Sequence, residues 1–173
     1  MSIDEYPDFT DRAKQVLRVA NSSGITFDQQ EISPILILNS LLLENFGSIN
    51  IVFTRLLTTR MYTFRRKVRA EIPSPLKPNP PPRLKIPLSR ESTVVIELAR
   101  AECNKLNHPK VDAEHLLLGL FLSEDPLVLG VLVQFHVDPG ILRRAVIEIS
   151  PPIALEEDDN PEDRSEDYTT RGE

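Results

Sequence analysis

An all-α fold of two matching halves is what this chain of 173 residues predicts, and three observations carry the prediction. Residues 88–149 read as a second copy of residues 9–72. Thr10 falls on Ser89, Leu17 on Ile96, Ala20 on Ala99 and Ile32 on Val111, a constant offset of 79 that slips to 78 by Val68 and Val146. In both copies apolar residues recur at the three-to-four spacing that places them on one helix face. Hydroxyl and acidic residues stand just ahead of those apolar runs, where they accept hydrogen bonds from first-turn N–H groups. A duplication of this length points to two helical units sharing one core. Such a body presents a surface, so binding outranks catalysis.

The elements follow in order. Thr10 caps a first helix running to about Ser22, with Ala13, Val16, Leu17 and Ala20 on one face. Asn21, Ser22, Ser23 and Gly24 then read as a stop. Ser33 followed by Pro34 is a cap with a first-turn proline, so a second helix covers Pro34 to about Leu43. After a turn at 45–48, a third helix spans about Ile49 to Leu57 and a fourth Tyr62 to Glu71. In the second copy Ser89 caps a fifth helix, with Val95, Leu98 and Ala99 inward, which extends to about Leu106 before His108–Pro109. Asp112 caps a sixth, Ala113 to Leu122. A turn at Glu124–Asp125–Pro126 leads into a seventh, Leu127 to Phe135, and Asp138–Pro139 launches an eighth through Ile149.

Two stretches fall outside the repeats. Residues 73–87 hold seven prolines in fifteen. Proline removes a donor and clashes inside helices, so this is an extended strap between the halves, or a ligand for a polyproline-reading groove. From Glu156 onward nine acids and two arginines make a tail of charge −7, whose composition predicts disorder; the residues before it sum to +1 against the chain's net −6. The expected organisation is an N-terminal extension at 1–8, a first repeat at 9–72, the Pro-rich linker at 73–87, a second repeat at 88–150 and an acidic tail at 151–173.

Motifs that carry chemistry are missing. The six glycines are too scattered for a G-x-x-x-x-G-K-[S/T] phosphate loop. His108, His115 and His136 stand apart, without cysteine partners at zinc-ligand spacing, and no residue sits in a recognisable nucleophile elbow. The expectation is a protein with no catalytic residue, no cofactor and no metal. Cys103 stands alone, which excludes an internal disulfide, favours a reducing compartment and reads as a half-buried helix filler. The most apolar run, 35–43, contains Asn39 and Ser40 and is far too short to span a bilayer, and residues 1–8 lack the order of a signal peptide. A cytoplasmic protein without a membrane partner is therefore expected. Between Arg55 and Arg90 ten Lys or Arg face Glu71 alone, and Arg60, Arg65, Arg66, Lys67 and Arg69 cluster on or near one helix. That is an electrostatic footprint for phosphates. No alternation of basic and aromatic residues accompanies it, so a solvated face that contacts the acidic tail is the stronger reading and nucleic acid the weaker.

Ala113-Glu114-His115-Leu116-Leu117-Leu118-Gly119-Leu120, with Phe9-Thr10-Asp11-Arg12-Ala13 opening the first copy, resembles the amino-terminal repeat domain of the Clp/Hsp100 AAA+ unfoldases, most closely in its ClpC form. The resemblance covers residues 9–149. It implies an all-helical, eight-helix domain with pseudo-twofold symmetry that recruits adaptors or clients to an unfoldase–protease. Clp-family ATPase or protease subunits, adaptors and client proteins are the implied partners. In the ClpC branch each repeat holds a phosphoarginine site, with a Thr near the first helix start on the phosphate and the Glu of Thr-Glu-His on the guanidinium. Carried over, the second repeat supplies Ser89 and Glu114, while the first supplies Thr10 but has Ile35 where the carboxylate belongs. A guanidinium against Ile35 would lose its charge-assisted partner, so one half-site is expected to survive.

The first repeat also carries Ser33-Pro34-Ile35-Leu36 in place of Gly-Thr-Glu-His. This more apolar entrance either opens a partner groove, with Ile35, Leu36 and His115 as its candidate residues, or extends the core. His115 reads as a helix-entry residue bonded to backbone. In the family two ATPase modules follow this domain, whereas only the acidic tail follows here. If the chain is complete, the expectation is a free-standing, non-catalytic interaction module, accessory or regulatory to Clp-type proteolysis; an excised fragment of a longer protein is the other reading. The alternative is a divergent copy of the fold that binds an unrelated partner, including nucleic acid through residues 55–90.

Overall fold

The computed structural model describes residues 6–43, 47–73 and 84–153. The expected strap over 74–83, part of the turn at 45–48 and the tail from 154 onward lie outside the described residues. The helices are α1 (Asp11–Thr26), α2 (Pro34–Leu43), α3 (Gly47–Leu57), α4 (Met61–Glu71), α5 (Arg90–Lys105), α6 (Ala113–Leu122), α7 (Pro126–Gln134) and α8 (Pro139–Ile149). α3 does not end in a loop. It tightens into a 3-10 turn at Thr58–Arg60 and runs on into α4. Counted as continuous bodies, the helices among the described residues number seven rather than the eight separate ones expected.

Local chemistry sets most of the boundaries. Thr10, Ser89, Asp125 and Asp138 accept hydrogen bonds from first-turn N–H groups of α1, α5, α7 and α8, which otherwise have no intrahelical partner. Pro126 opens α7 instead of closing the preceding turn, because a proline costs nothing where the N–H is unpaired anyway. α1 runs past the expected stop at 21–24. Gly24 acts as a contact and not a terminator: a Cβ there would lie 2.4 Å from Ile86 Cδ1. The chain turns later, at Asp28, in the left-handed region at φ 52°, and Asn107, which matches Asp28 in the second repeat, turns at φ 55° after α5.

The two repeats exchange their heads. Isolated parallel bridges join Phe9 to Val111 and Leu88 to Ile32, the same pair under the offset of 79. Thr10 N–H donates to Val111 C=O at 2.9 Å, and Ser89 N–H to Ile32 C=O at 2.9 Å. Val111 N–H returns a bond to Asp8 C=O at 2.9 Å, and Ile32 N–H one to Pro87 C=O at 2.7 Å. The start of each repeat thus pairs with the loop that precedes the second helix of the other, as a pseudo-twofold requires.

One core serves both halves. Phe64 of the first repeat meets Phe135 of the second edge-on at 5.1 Å and Phe53 at 5.4 Å. α2 and α6 are buried along nearly their whole length, which is why neither has a polar face. α5 and α6 approach so closely that a Cβ on Gly119 would lie 2.4 Å from Val95 C=O. No single helix among the described residues is long and apolar enough to cross a membrane.

Candidate functional site

The exchange of heads decides which polar residues meet. Thr10, arriving from the first repeat, donates its hydroxyl to Asp112 Oδ1 at 2.8 Å while accepting from Ala13 N–H. From the first turn of α1, Arg12 reaches Asp112 Oδ2 at 3.3 Å, Glu114 Oε1 at 3.0 Å and Ser48 Oγ at 2.7 Å. Ser48 in turn donates to Glu114 Oε1. The Glu114 side chain is only 6% exposed, whereas that of Arg12 is 43% exposed. Burial opposes the Glu114 charge most strongly, yet bonds from Ser48, its own backbone N–H and Arg12 hold the carboxyl below the usual carboxylate range.

Ser89 does not take the place expected for it beside Glu114. It is buried at the cap of α5, its hydroxyl accepts from Ser92 N–H, and its backbone pairs with Ile32. Thr10 holds the corresponding place at the start of α6, because the head of one repeat lies on the other. Ile35 and Leu36 extend the core rather than open a groove. Both are fully buried, as is His115, because an apolar helix entrance is stabilised by packing inward.

His115 is the helix-entry residue expected. Its Nδ1 accepts from Asp112 N–H at 2.8 Å, completing a capping box in which Asp112 bonds the first-turn N–H groups of α6. Its Nε2 lies 2.9 Å from His108 Nδ1, and His108 Nε2 lies 2.9 Å from the Pro151 carbonyl. Burial, then the neighbouring His108, push the His115 imidazole below its ordinary value, against the pull of Glu114, Asp112 and Glu102. Both ring nitrogens are committed, so His115 serves as a structural group and not as a general base. Among the described residues no three His, Cys, Asp or Glu converge where they could hold a metal ion.

A cavity of about 390 Å³ opens beside this cluster, bordered by Thr10, His108, Lys110, Asp112, Ser150 and Ile153. Its polar lining offers a hydroxyl, a carboxylate and a cation within one opening. Cys103 is buried and donates to His108 C=O, and burial pushes its thiol up, which suits a core residue.

The basic residues expected to form a phosphate footprint make contacts within the chain. Arg55 pairs with Glu148 at 3.7 Å, Lys67 pairs with Glu71, and Arg60 donates to Phe135 C=O at 3.1 Å. Arg65 donates to Asn50, Arg66 lies over Tyr62 and Arg69 over Phe27. Lys77 and Arg83 lie outside the described residues.

Sequence reasoning passed over Arg12, Ser48 and the pairing role of His108. The one signal available was disagreement between the copies: Arg12 matches Glu91, Ser48 matches Leu127 and His108 matches Gln29.

The model of the Clp repeat (R) N-terminal domain family matches residues 8–135. A probable ATP-dependent Clp protease ATP-binding subunit of Chlamydia pneumoniae is 28% identical over 148 residues, covering 83% of this chain and 17% of that protein. The chloroplastic chaperone protein ClpC of Pisum sativum is 33% identical over 66 residues, 38% of this chain and 7% of its own length. The chain therefore spans less than a fifth of these relatives. Among solved structures the fold is similar to the N-terminal domain of ClpD from Arabidopsis thaliana, with a TM-score of 0.66 and 18% identity over 83% of this chain and 95% of that one. It is likewise similar to the Hsp104 N-terminal domain from Candida albicans, with a TM-score of 0.66 and 21% identity over 84% and 93%.

Proposed function

Because this chain belongs to the Clp repeat N-terminal domain family, we propose that it is a non-catalytic recruiting module, accessory or regulatory to Clp-type unfolding and proteolysis in the cytoplasm. Its partners are Clp-family ATPase or protease subunits, their adaptors, or client proteins. One observation carries the reading furthest. Asp112, Glu114 and Ser48 surround a guanidinium, that of Arg12, and Asp112 also borders an open cavity with Thr10 and Lys110. A carboxylate with hydroxyls around a planar cation recognises arginine chemistry. A client arginine or phosphoarginine exchanges with Arg12, with Glu114 on its guanidinium and Thr10 and Lys110 toward its phosphate. On the opposite copy Ser89 is present but Ile35 removes the carboxylate, so that side takes no such ligand.

Immobilised full-length chain, exposed to cell extract at moderate salt, tests the proposal through mass spectrometry of the retained proteins. A Clp ATPase or protease subunit, or one of its adaptors, is expected on the wild-type resin and depleted on Glu114→Ala. Retention of nucleic acid alone, lost steeply as salt rises, favours the divergent reading instead.

A further inference from the structure

We propose that His108 and His115 form a proton-operated latch that holds residues 151–153, where the chain enters its acidic end, against the turn between α5 and α6. The hydrogen-bond chain has one direction. Asp112 N–H is a donor only, so His115 Nδ1 is the lone-pair nitrogen and the ring proton sits on Nε2. That Nε2–H donates to His108 Nδ1 at 2.9 Å, which leaves the His108 proton on Nε2. His108 Nε2–H then donates to Pro151 C=O, an acceptor only. Both ends are fixed by backbone groups, so both rings are neutral when the chain is intact.

One added proton breaks it. On His108 the new N–H would face His115 Nε2–H; on His115 it would face Asp112 N–H. His115 is buried inside α6 and cannot leave, whereas His108 is half-buried on a turn and swings outward. Pro151 then loses its donor. Among the described residues, the hydrogen bonds that remain on the segment are Ile153 N–H to Leu106 C=O at 2.9 Å and Asn107 Nδ2 to Ile153 C=O at 3.1 Å.

Charged neighbours do not replace this logic. Asp112 faces the rings from the cap of α6 and Glu114 from its first turn, Glu102 from α5 and Lys110 from the turn, with Asp8 and Arg100 paired on the other side of His108. Asp112 is bonded to Thr10 and Arg12, Glu114 to Ser48 and Arg12, and Glu102 to Lys105 and Arg143. The three acids favour an imidazolium, but burial and the second ring outweigh them at His115.

The first repeat provides the comparison. Gln29 matches His108 and Pro73 matches Pro151, and Gln29 Nε2 donates to Pro73 C=O at 3.0 Å. Leu36 stands where His115 does. The tether is thus built twice, once with an amide that does not titrate and once with a pair of imidazoles that do.

NMR on the full chain tests the latch. Long-range proton–nitrogen spectra of the imidazoles at about pH 7.5 are expected to show both rings protonated on Nε2. Solvent exchange of the Ile153 amide, corrected for its intrinsic pH dependence, should lose protection severalfold between about pH 7.5 and about pH 5, the range in which an imidazole takes up a proton. His108→Gln, which copies Gln29, should keep protection at both pH values, and His108→Ala should lack it at both. The Ile72 amide, beside Pro73, should stay constant throughout. An Nδ1–H tautomer at His115, unchanged Ile153 protection in the wild type, or release in His108→Gln as in the wild type each overturns the proposal.

Discussion

Arg12 and Glu114 lie 102 residues apart in the chain, yet Arg12 Nη2 sits 3.0 Å from Glu114 Oε1. A guanidinium from the first repeat therefore occupies the carboxylate of the second. If clients bind by exchange, Arg12 competes with them from within. Glu114→Ala should then weaken phosphoarginine binding, by roughly 2–5 kcal/mol if the pair is desolvated. Arg12→Ala should tighten it, with about tenfold in Kd for each 1.4 kcal/mol of competition removed. Calorimetric titration separates the cases. Weakening by both substitutions alike would make Arg12 part of the receptor and end the exchange idea.

Pseudo-symmetry yields a stability prediction at Ser92. Its Oγ is buried and has no hydrogen-bond partner among the described residues, and its counterpart in the first repeat is Ala13. An unpaired buried hydroxyl costs on the order of 1–3 kcal/mol. Ser92→Ala should therefore raise Tm by a few degrees, at about 2–4 °C per kcal/mol for a chain of this size. Thermal melts followed by circular dichroism measure this directly. A lower Tm would show that the hydroxyl serves a need of the fold.

Capping and faces were legible because they depend on residues three or four apart. Thr10, Ser89, Asp112 and Asp138 each sit where the local pattern placed them. Gly24 was misread because its neighbours suggest a turn, while its role is set by Ile86, which the sequence does not place beside it. The site was harder still. Whether the head of a repeat lies on its own second helix or on the other copy's leaves no trace in a duplicated sequence, since both arrangements share the same local signals. That ambiguity put Ser89 with Glu114 and left Arg12 and Ser48 unnoticed. The His108–Pro151 contact was invisible for a different reason: it joins residues 43 apart within the same half of the chain, beyond the reach of any local pattern.

Gly119 and Gly130 are both helical glycines and should respond oppositely to alanine. At Gly119 a Cβ would meet Val95 C=O at 2.4 Å and Ala99 N at 2.9 Å, backbone atoms that cannot step aside. Overpacking of this kind costs about 1–3 kcal/mol. At Gly130 a Cβ meets nothing within 4 Å, so alanine gains its helix propensity, up to about 1 kcal/mol. Urea unfolding should place Gly119→Ala below the wild type and Gly130→Ala above it. The reverse order would mean that α5 and α6 are not packed as closely as described.

Acid should weaken the fold through Glu102, whose carboxylate links α5 to α8. The side chain is 1% exposed, with Oε1 2.7 Å from Lys105 Nζ and Oε2 2.7 Å from Arg143 Nη2. Burial opposes ionisation most strongly, but the two cations prevail and hold the carboxyl below its ordinary value of 4.5. The sign follows from linkage. Near and below that ordinary value the unfolded chain binds a proton that the folded chain does not, so acid favours unfolding. The stabilisation is complete above the unfolded value and is lost as pH falls through the lower, folded one. Asp8, held down chiefly by its hydrogen bond from Arg100, and Glu114 act in the same direction. Urea midpoints measured by circular dichroism from about pH 6 to about pH 3 should fall in the wild type and fall less steeply in Glu102→Gln, which has no proton to take up. Arg143→Ala should lower the midpoint at about pH 6 and also flatten its pH dependence, because Glu102 then keeps Lys105 alone. Parallel curves for wild type and Glu102→Gln would remove Glu102 from the acid response and leave Asp8 and Glu114 to account for it.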